Sequence, residues 1–220
     1  MQINLYPELT LLKDDDSLLV WEEETSTTKK IKASTLKSYI GVVSGGGDVG
    51  KLLTFNANGD TNGVFYWMGT SEGTEVWSNP SDKGLIIGAS GVGAGSPLSL
   101  VDRSDSEFYT ANQPNSWISF YLGGKTLKCN YYSLKSRNSS SGFYPRSWKL
   151  QGSNDQNNWV DLDSQIDNTT LNGNSQWLSL PVANSSTRYT SFRILMTSLC
   201  SSNSGHLVLG EVELYGTYLD

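Results

Sequence analysis

Residues 131–162 read YYSLKSRNSSSGFYPRSWKLQGSNDQNNWVDL, and the pattern within them decides the fold. Tyr132 and Leu134 alternate with Lys135 and Arg137, and Trp148 and Leu150 alternate with Lys149 and Gln151. A third run, Trp159-Val160-Asp161-Leu162, follows a loop of glycine, serine, asparagine and aspartate. Successive side chains of a strand point to opposite faces, so this alternation predicts three half-buried strands. The loop at 152–158 has the residues that tight hairpin geometry needs. The loop at 138–146 differs. It is rich in serine and glycine yet carries Phe143, Tyr144 and Arg146, side chains that suit a binding rim better than a solvated connector.

Working outward, Pro145-Arg146-Ser147-Trp148-Lys149-Leu150-Gln151-Gly152-Ser153-Asn154-Asp155 followed by Trp159 resembles the signature of discoidin domains, also called coagulation factor V/VIII type C domains. Val64-Phe65-Tyr66-Trp67 and Trp77-Ser78-Asn79-Pro80 are similar to that family's opening residues. Ser99-Leu100-Val101-Asp102-Arg103 and Asn115-Ser116-Trp117 resemble its first core strands. Residues 189–197 and Gly210-Glu211-Val212-Glu213-Leu214-Tyr215-Gly216 resemble its closing strands. The resemblance spans about residues 62–218. It implies an all-β fold, an eight-stranded jelly-roll β-sandwich of galactose-binding-like type, with Trp148, Leu150, Phe192, Ile194, Val212 and Leu214 between the sheets. The expected organisation is a small β-rich N-terminal docking or oligomerisation module (1–45), a glycine-rich linker with a short strand (46–61), and the discoidin-like sandwich (62–220).

Composition agrees and excludes some functions. The 220 residues include 22 glycines, with aromatics at 11% and charged residues at only 17%. A helical enzyme would carry more alanine, glutamate and lysine. The net charge of -6 is spread over both halves, with 6 basic and 9 acidic residues in 1–60 and 10 and 13 in 61–220. Phosphate neutralisation needs clustered cations, so nucleic acid is not the expected partner. No run of 18 apolar residues is present, so no membrane insertion is expected. Met1-Gln2-Ile3-Asn4-Leu5-Tyr6-Pro7 lacks a basic stretch leading into an apolar core, so no secretory signal is expected either. The resemblance allows Cys129 and Cys200 to pair, whereas the missing export signal favours two thiols.

In the first 40 residues, Leu18-Leu19-Val20-Trp21 and Lys29-Lys30-Ile31-Lys32 predict a strand pair. Ser34 is placed to cap a short helix with Leu36, Tyr39 and Ile40 on one face. So small a unit buries too little to stand alone. The segment is similar to modules near the N-termini of bacteriophage fibre and other virion proteins, cyanophage ones especially. A generic β-rich cap is the plainer reading. The glycines at 45–47 are not followed by Gly-Lys-Ser/Thr, which excludes a phosphate loop. Those from Gly88 to Gly95 follow a strand, but Ser96-Pro97 excludes the long helix that a dinucleotide site requires, and a loop is expected there.

Catalytic chemistry finds little support. The one histidine, His206, has no nucleophile elbow to serve, and Cys129, Cys200 and His206 lack zinc-site spacing. No enzyme is expected. Sugar-binding members of the resembled family use a histidine, an arginine, an asparagine and a stacking aromatic. This chain offers His206, Arg137 and Asn138, with Phe143, Tyr144 or Trp77 to stack and Arg146 beside them. The resemblance also implies a structural calcium, with Asp102, Asp105 and Glu211 as its oxygen ligands. The expected function is that of a non-enzymatic virion fibre or appendage protein, made in the host cytoplasm. It would bind cell-surface glycan for host attachment and dock on other virion proteins as a homotrimer through residues 1 to about 60. The alternative is a structural virion component whose sandwich contacts another protein.

Overall fold

The computed structural model describes Ser17–Glu22, Thr27–Lys32 and residues 50–219. The chain forms two compact units, residues 1–49 and 50–220. In the first, β1 (Ser17–Glu22) and β2 (Thr27–Lys32) pair antiparallel, with Leu18 opposite Ile31 and Trp21 opposite Thr28, as their sequences predict. The helix expected after Ser34 lies outside the described residues, as does most of the segment that resembles virion modules.

The second unit is a sandwich. One sheet holds five strands in the order β10 (Val160–Gln165), β9 (Trp148–Ser153), β12 (Ser191–Met196), β7 (Trp117–Tyr121) and β4 (Ile86–Ala89). The other runs β11 (Trp177–Pro181), β8 (Thr126–Lys135), β14 (Glu211–Leu219) and β3 (Lys51–Leu53). Eight of these strands come from residues 62–220, the number expected, and β3 adds a ninth. A small third sheet of β13 (Val208–Leu209), β6 (Phe108–Thr110) and β5 (Val92–Ala94) closes one end. The only α-helix among the described residues, α1 (Val64–Gly69), buries Val64, Phe65 and Met68.

The three strands read in residues 131–162 are β8, β9 and β10, but β8 lies in one sheet and the β9–β10 hairpin in the other. The hairpin turns as its composition predicts. Asp155 Oδ1 accepts the N–H groups of Asn157 and Asn158 at 2.9 and 2.7 Å, and Gln156 takes a left-handed conformation at φ +59°. These bonds hold the Asp155 carboxyl far below the usual range. Leu150 pairs with Ile194 and Ile194 with Ile118 across the five-stranded sheet. Opposite them Leu134 pairs with Val212, and all five are buried. Trp148 is fully buried and donates through Nε1 to Tyr132 Oη at 3.1 Å, while Tyr132 donates to Asp163 Oδ2 at 2.7 Å. This polar chain ties the two sheets together through the core and satisfies both aromatic donors.

The short strand expected within residues 46–61 is present as β3, and one expectation about a loop needs correction. The described part of the expected linker, residues 50–61, is stitched into the sandwich. Leu53 pairs with Gly216 of β14, the Phe55 ring stacks 4.6 Å from Tyr131, and Asp60 Oδ1 accepts the Tyr215 hydroxyl at 3.2 Å. The apolar and Asx residues there outweigh the glycine-rich composition upstream. Residues 88–96 are no open loop, since they end β4 and form β5. Gly95, at φ +77°, lies so close to the Glu107 carbonyl that a Cβ would come within 2.3 Å of it. Ser96 and Pro97 then start a 3-10 turn, Pro97–Val101, with Ser96 as its cap. Ser99, Leu100 and Val101 are therefore buried in a turn, not in the strand that the resemblance suggested. The two cysteines are both buried and free.

Candidate functional site

The third sheet and the crossing from β8 to β9 bring one cluster together. Arg137, two residues past the end of β8, is 7% exposed. Its Nη2 and Nε donate to Glu107 Oε1 and Oε2 at 3.0 and 3.4 Å, a bidentate pair of fixed geometry. Glu107 also accepts the Tyr109 hydroxyl at 2.8 Å and the Asn138 N–H at 3.0 Å. The guanidinium carbon lies 4.9 Å from the Tyr109 ring centre and 5.3 Å from that of Phe143. Burial, reinforced by the Glu107 carboxylate, pushes the Tyr109 phenol up to about 12.

His206 completes the cluster, its ring centre 5.7 Å from Phe143 and 6.2 Å from Tyr109. Its Nδ1 lies 2.7 Å from the Thr110 carbonyl, which can only accept, so Nδ1 carries the proton. In the neutral ring that leaves Nε2 as an acceptor. Phe143 is held in an unusual state. It has φ +62°, and its N–H donates to Ser202 Oγ at 2.9 Å. A bulky side chain in the left-handed region is strained, and such strain gathers at ligand sites. The cluster thus joins a carboxylate, a guanidinium, the backbone N–H of Asn138, an imidazole and two partly exposed aromatic rings.

Of the residues singled out in the sequence, Arg137, Asn138, Phe143 and His206 are brought together here. Tyr144 is not: it is 5% exposed, turned inward, and its hydroxyl donates to the Ser139 carbonyl at 2.8 Å. The left-handed residue before it sends the two neighbouring rings apart. Arg146 is engaged elsewhere, donating to the Leu171 carbonyl at 3.0 Å and to Asn172. Trp77 packs against Gly69 near α1. Sequence reading missed Glu107 and Tyr109. Their only signal is the alternation Glu107-Phe108-Tyr109, with Phe108 fully buried between them.

The expected calcium ligands lie beside this cluster. Asp105 and Glu211 both face the ammonium of Lys135, at 3.0 and 3.3 Å, and Asp102 caps the Ser104 N–H at 2.9 Å. Among the described residues, no three or more acidic, histidine or cysteine side chains are arranged to hold a metal. The donor set does not fit calcium, because a lysine sits where the cation would.

Comparisons with known proteins bear on the fold and the family. The F5/8 type C domain model matches residues 87–208, more than half of the chain. A BTB/POZ domain-containing protein of Arabidopsis thaliana is 31% identical over 76% of the chain, and the E3 ubiquitin-protein ligase Ufd4 of Drosophila melanogaster 25% over 75%. The matched stretch covers 22% and 6% of those proteins. Among solved structures, a family 32 carbohydrate-binding module from a family 31 glycoside hydrolase of Clostridium perfringens superposes with a TM-score of 0.51 at 16% identity, over 61% of this chain and 92% of that one. The module CpGH89CBM32-5 of the same organism, solved with GalNAc-β-1,3-galactose, gives 0.50 at 14% identity, over 60% and 96%. At these identities the likeness is one of fold. The resemblance of residues 1–40 to virion modules gains no support from these plant, animal and bacterial relatives. Sandwich topology and family model agree, and the chain belongs to the F5/8 type C domain family.

Proposed function

We propose that the sandwich binds a carbohydrate, without catalysis, at the cluster of Glu107, Tyr109, Arg137, Asn138, Phe143 and His206. One observation carries the reading. A charge pair fixed bidentately, a histidine with its tautomer set, and an aromatic ring in a strained backbone converge on one loop end. Sugar hydroxyls need donors and acceptors in fixed directions, and the apolar face of a pyranose stacks on an aromatic ring. The C. perfringens module solved with GalNAc-β-1,3-galactose makes galactose-type sugars the first to test. A shallow site for one sugar unit would bind weakly, at about 4–6 kcal/mol, and gain strength from several copies. Display as a trimer on a virion appendage is the finer form of this proposal, resting on residues 1 to about 60.

A second reading has its own support. In the plant and animal relatives the matched stretch is a small part of a long chain, which suits a module that contacts protein. A glycan array probed with a multivalent form of the full chain separates the two. Binding that vanishes in Arg137→Ala supports the sugar reading. Silence across the array, or binding that survives the substitution, transfers the cluster to a protein partner.

A further inference from the structure

We propose that the ammonium of Lys135 is the structural cation of this domain, holding residues 104–105 against the start of β14 so that the fold needs no divalent ion. Lys135, the last residue of β8, extends its Nζ into a nest of three oxygens. These are the Ser104 carbonyl at 3.3 Å, Asp105 Oδ1 at 3.0 Å and Glu211 Oε1 at 3.3 Å. An ammonium has three N–H donors and no acceptor, so three oxygens match it in number. The indole of Trp177 closes another side, its ring centre 5.6 Å from Nζ. The side chains of Lys135 and Glu211 are each only 11% exposed, so the pair is screened little by water.

The oxygen set explains why a metal is not needed. Calcium takes six to eight oxygens and is served by carboxylates free to turn toward it. Here both carboxylates already face a full positive charge. A second cation at the same centre would lie within a few ångströms of that charge and meet its repulsion. Burial works against a charged lysine, yet the Asp105 hydrogen bond and the Glu211 charge outweigh it and hold the ammonium above the ordinary lysine value. The clamp is also well placed in the chain. The backbone of Lys135 accepts the Gly210 N–H at 2.9 Å, so ammonium and carbonyl of one residue grip the same turn into β14.

The native protein provides the first test. Its melting temperature is expected to be the same in a calcium chelator and in millimolar calcium, and elemental analysis is expected to find no bound calcium. A rise in melting temperature with calcium, or a stoichiometric ion, would overturn the proposal. The second test is Lys135→Met, which keeps the stem and removes the charge. It should lower the melting temperature by roughly 5 °C or more. Adding Glu211→Gln should recover part of that loss, since the cost of Lys135→Met is mainly a buried carboxylate left without its partner. A Lys135→Met protein as stable as the wild type, or a double variant worse than the single, would count against the clamp. Should the single variant fail to fold, the calcium comparison on the native protein still decides.

Discussion

Lys135 and Arg137 stand two residues apart at one end of β8, and both are buried cations facing carboxylates, yet they do different things. Lys135 has its three donors matched by three oxygens, one of them a backbone carbonyl, and nothing is left for a ligand. Arg137 has five donors, of which two are held by Glu107, and it is flanked by rings that are partly exposed. The first arrangement is the one proposed to close the fold, and the second the one proposed to prepare a surface. A buried charge is therefore no sign of function by itself. The difference lies in how many of its hydrogen bonds the protein completes.

The largest expected effect separates the two residues by stability. Lys135→Met is expected to cost about 3 kcal/mol, at the low end for a broken buried pair because the Asp105 carboxylate stays largely in water. Arg137→Ala should cost only about 1 kcal/mol, since its partner Glu107 is one-quarter exposed and keeps other donors. Urea denaturation of both variants checks this. Equal losses would erase the distinction.

Glu213 sharpens the comparison from the acidic side. It lies two residues beyond Glu211, but it faces no lysine. Its carboxylate accepts the N–H groups of Phe65 at 2.8 Å, Tyr66 at 3.2 Å and Leu214 at 3.0 Å. Burial outweighs those bonds and pushes its carboxyl up to about 7 from 4.5. The folded state thus holds the proton more tightly than the unfolded chain. The contribution to stability is full below about pH 4.5 and is lost as pH rises through 7, a change of about 3 kcal/mol. Glu213→Gln should flatten that part of the pH–stability curve. Unfolding midpoints at pH 5 and pH 8 for both proteins test the assignment, and an identical difference in the two would refute it.

How much of this was legible in the sequence follows from the range of the interactions. Alternation found β8, β9 and β10 and placed Trp148 and Leu150 inside, because a strand's inward face is a local property, whereas Ile194 and Val212 were placed there by the family resemblance. The same alternation put Lys135 and Arg137 on the polar side. It could not show that residues 104–107 fold over both, since Glu107 is 30 residues from Arg137. Tyr144 was misread for a local reason with a distant cause. Phe143 and Tyr144 look equivalent in sequence, and only the hydroxyls of Ser201 and Ser202, fixing the backbone N–H groups of Tyr144 and Phe143, decide which ring faces out. For calcium, the resemblance supplied the acids Asp105 and Glu211 and said nothing of the lysine between them.

In the binding assay the order of the two cations reverses. Arg137→Ala should lose roughly 1.5–3 kcal/mol of sugar binding, the worth of hydrogen bonds to a charged group, or about 10-fold to 100-fold in Kd.

The smallest expected effect belongs to His206. Its Nδ1 is held by the Thr110 carbonyl, so the ring can offer a sugar hydroxyl only Nε2, one neutral hydrogen bond worth about 1 kcal/mol. His206→Ala is therefore expected to weaken binding about fivefold, well short of the loss in Arg137→Ala. The fold should survive, because the neighbouring Leu207 N–H keeps its own bond to Thr110 Oγ1 at 2.9 Å. Titration calorimetry on the two variants gives the ratio directly. If His206→Ala abolishes binding while the melting temperature stays put, the imidazole and not the guanidinium is the main contact. If it changes nothing, the sugar lies on the Arg137 side of Phe143, away from the histidine.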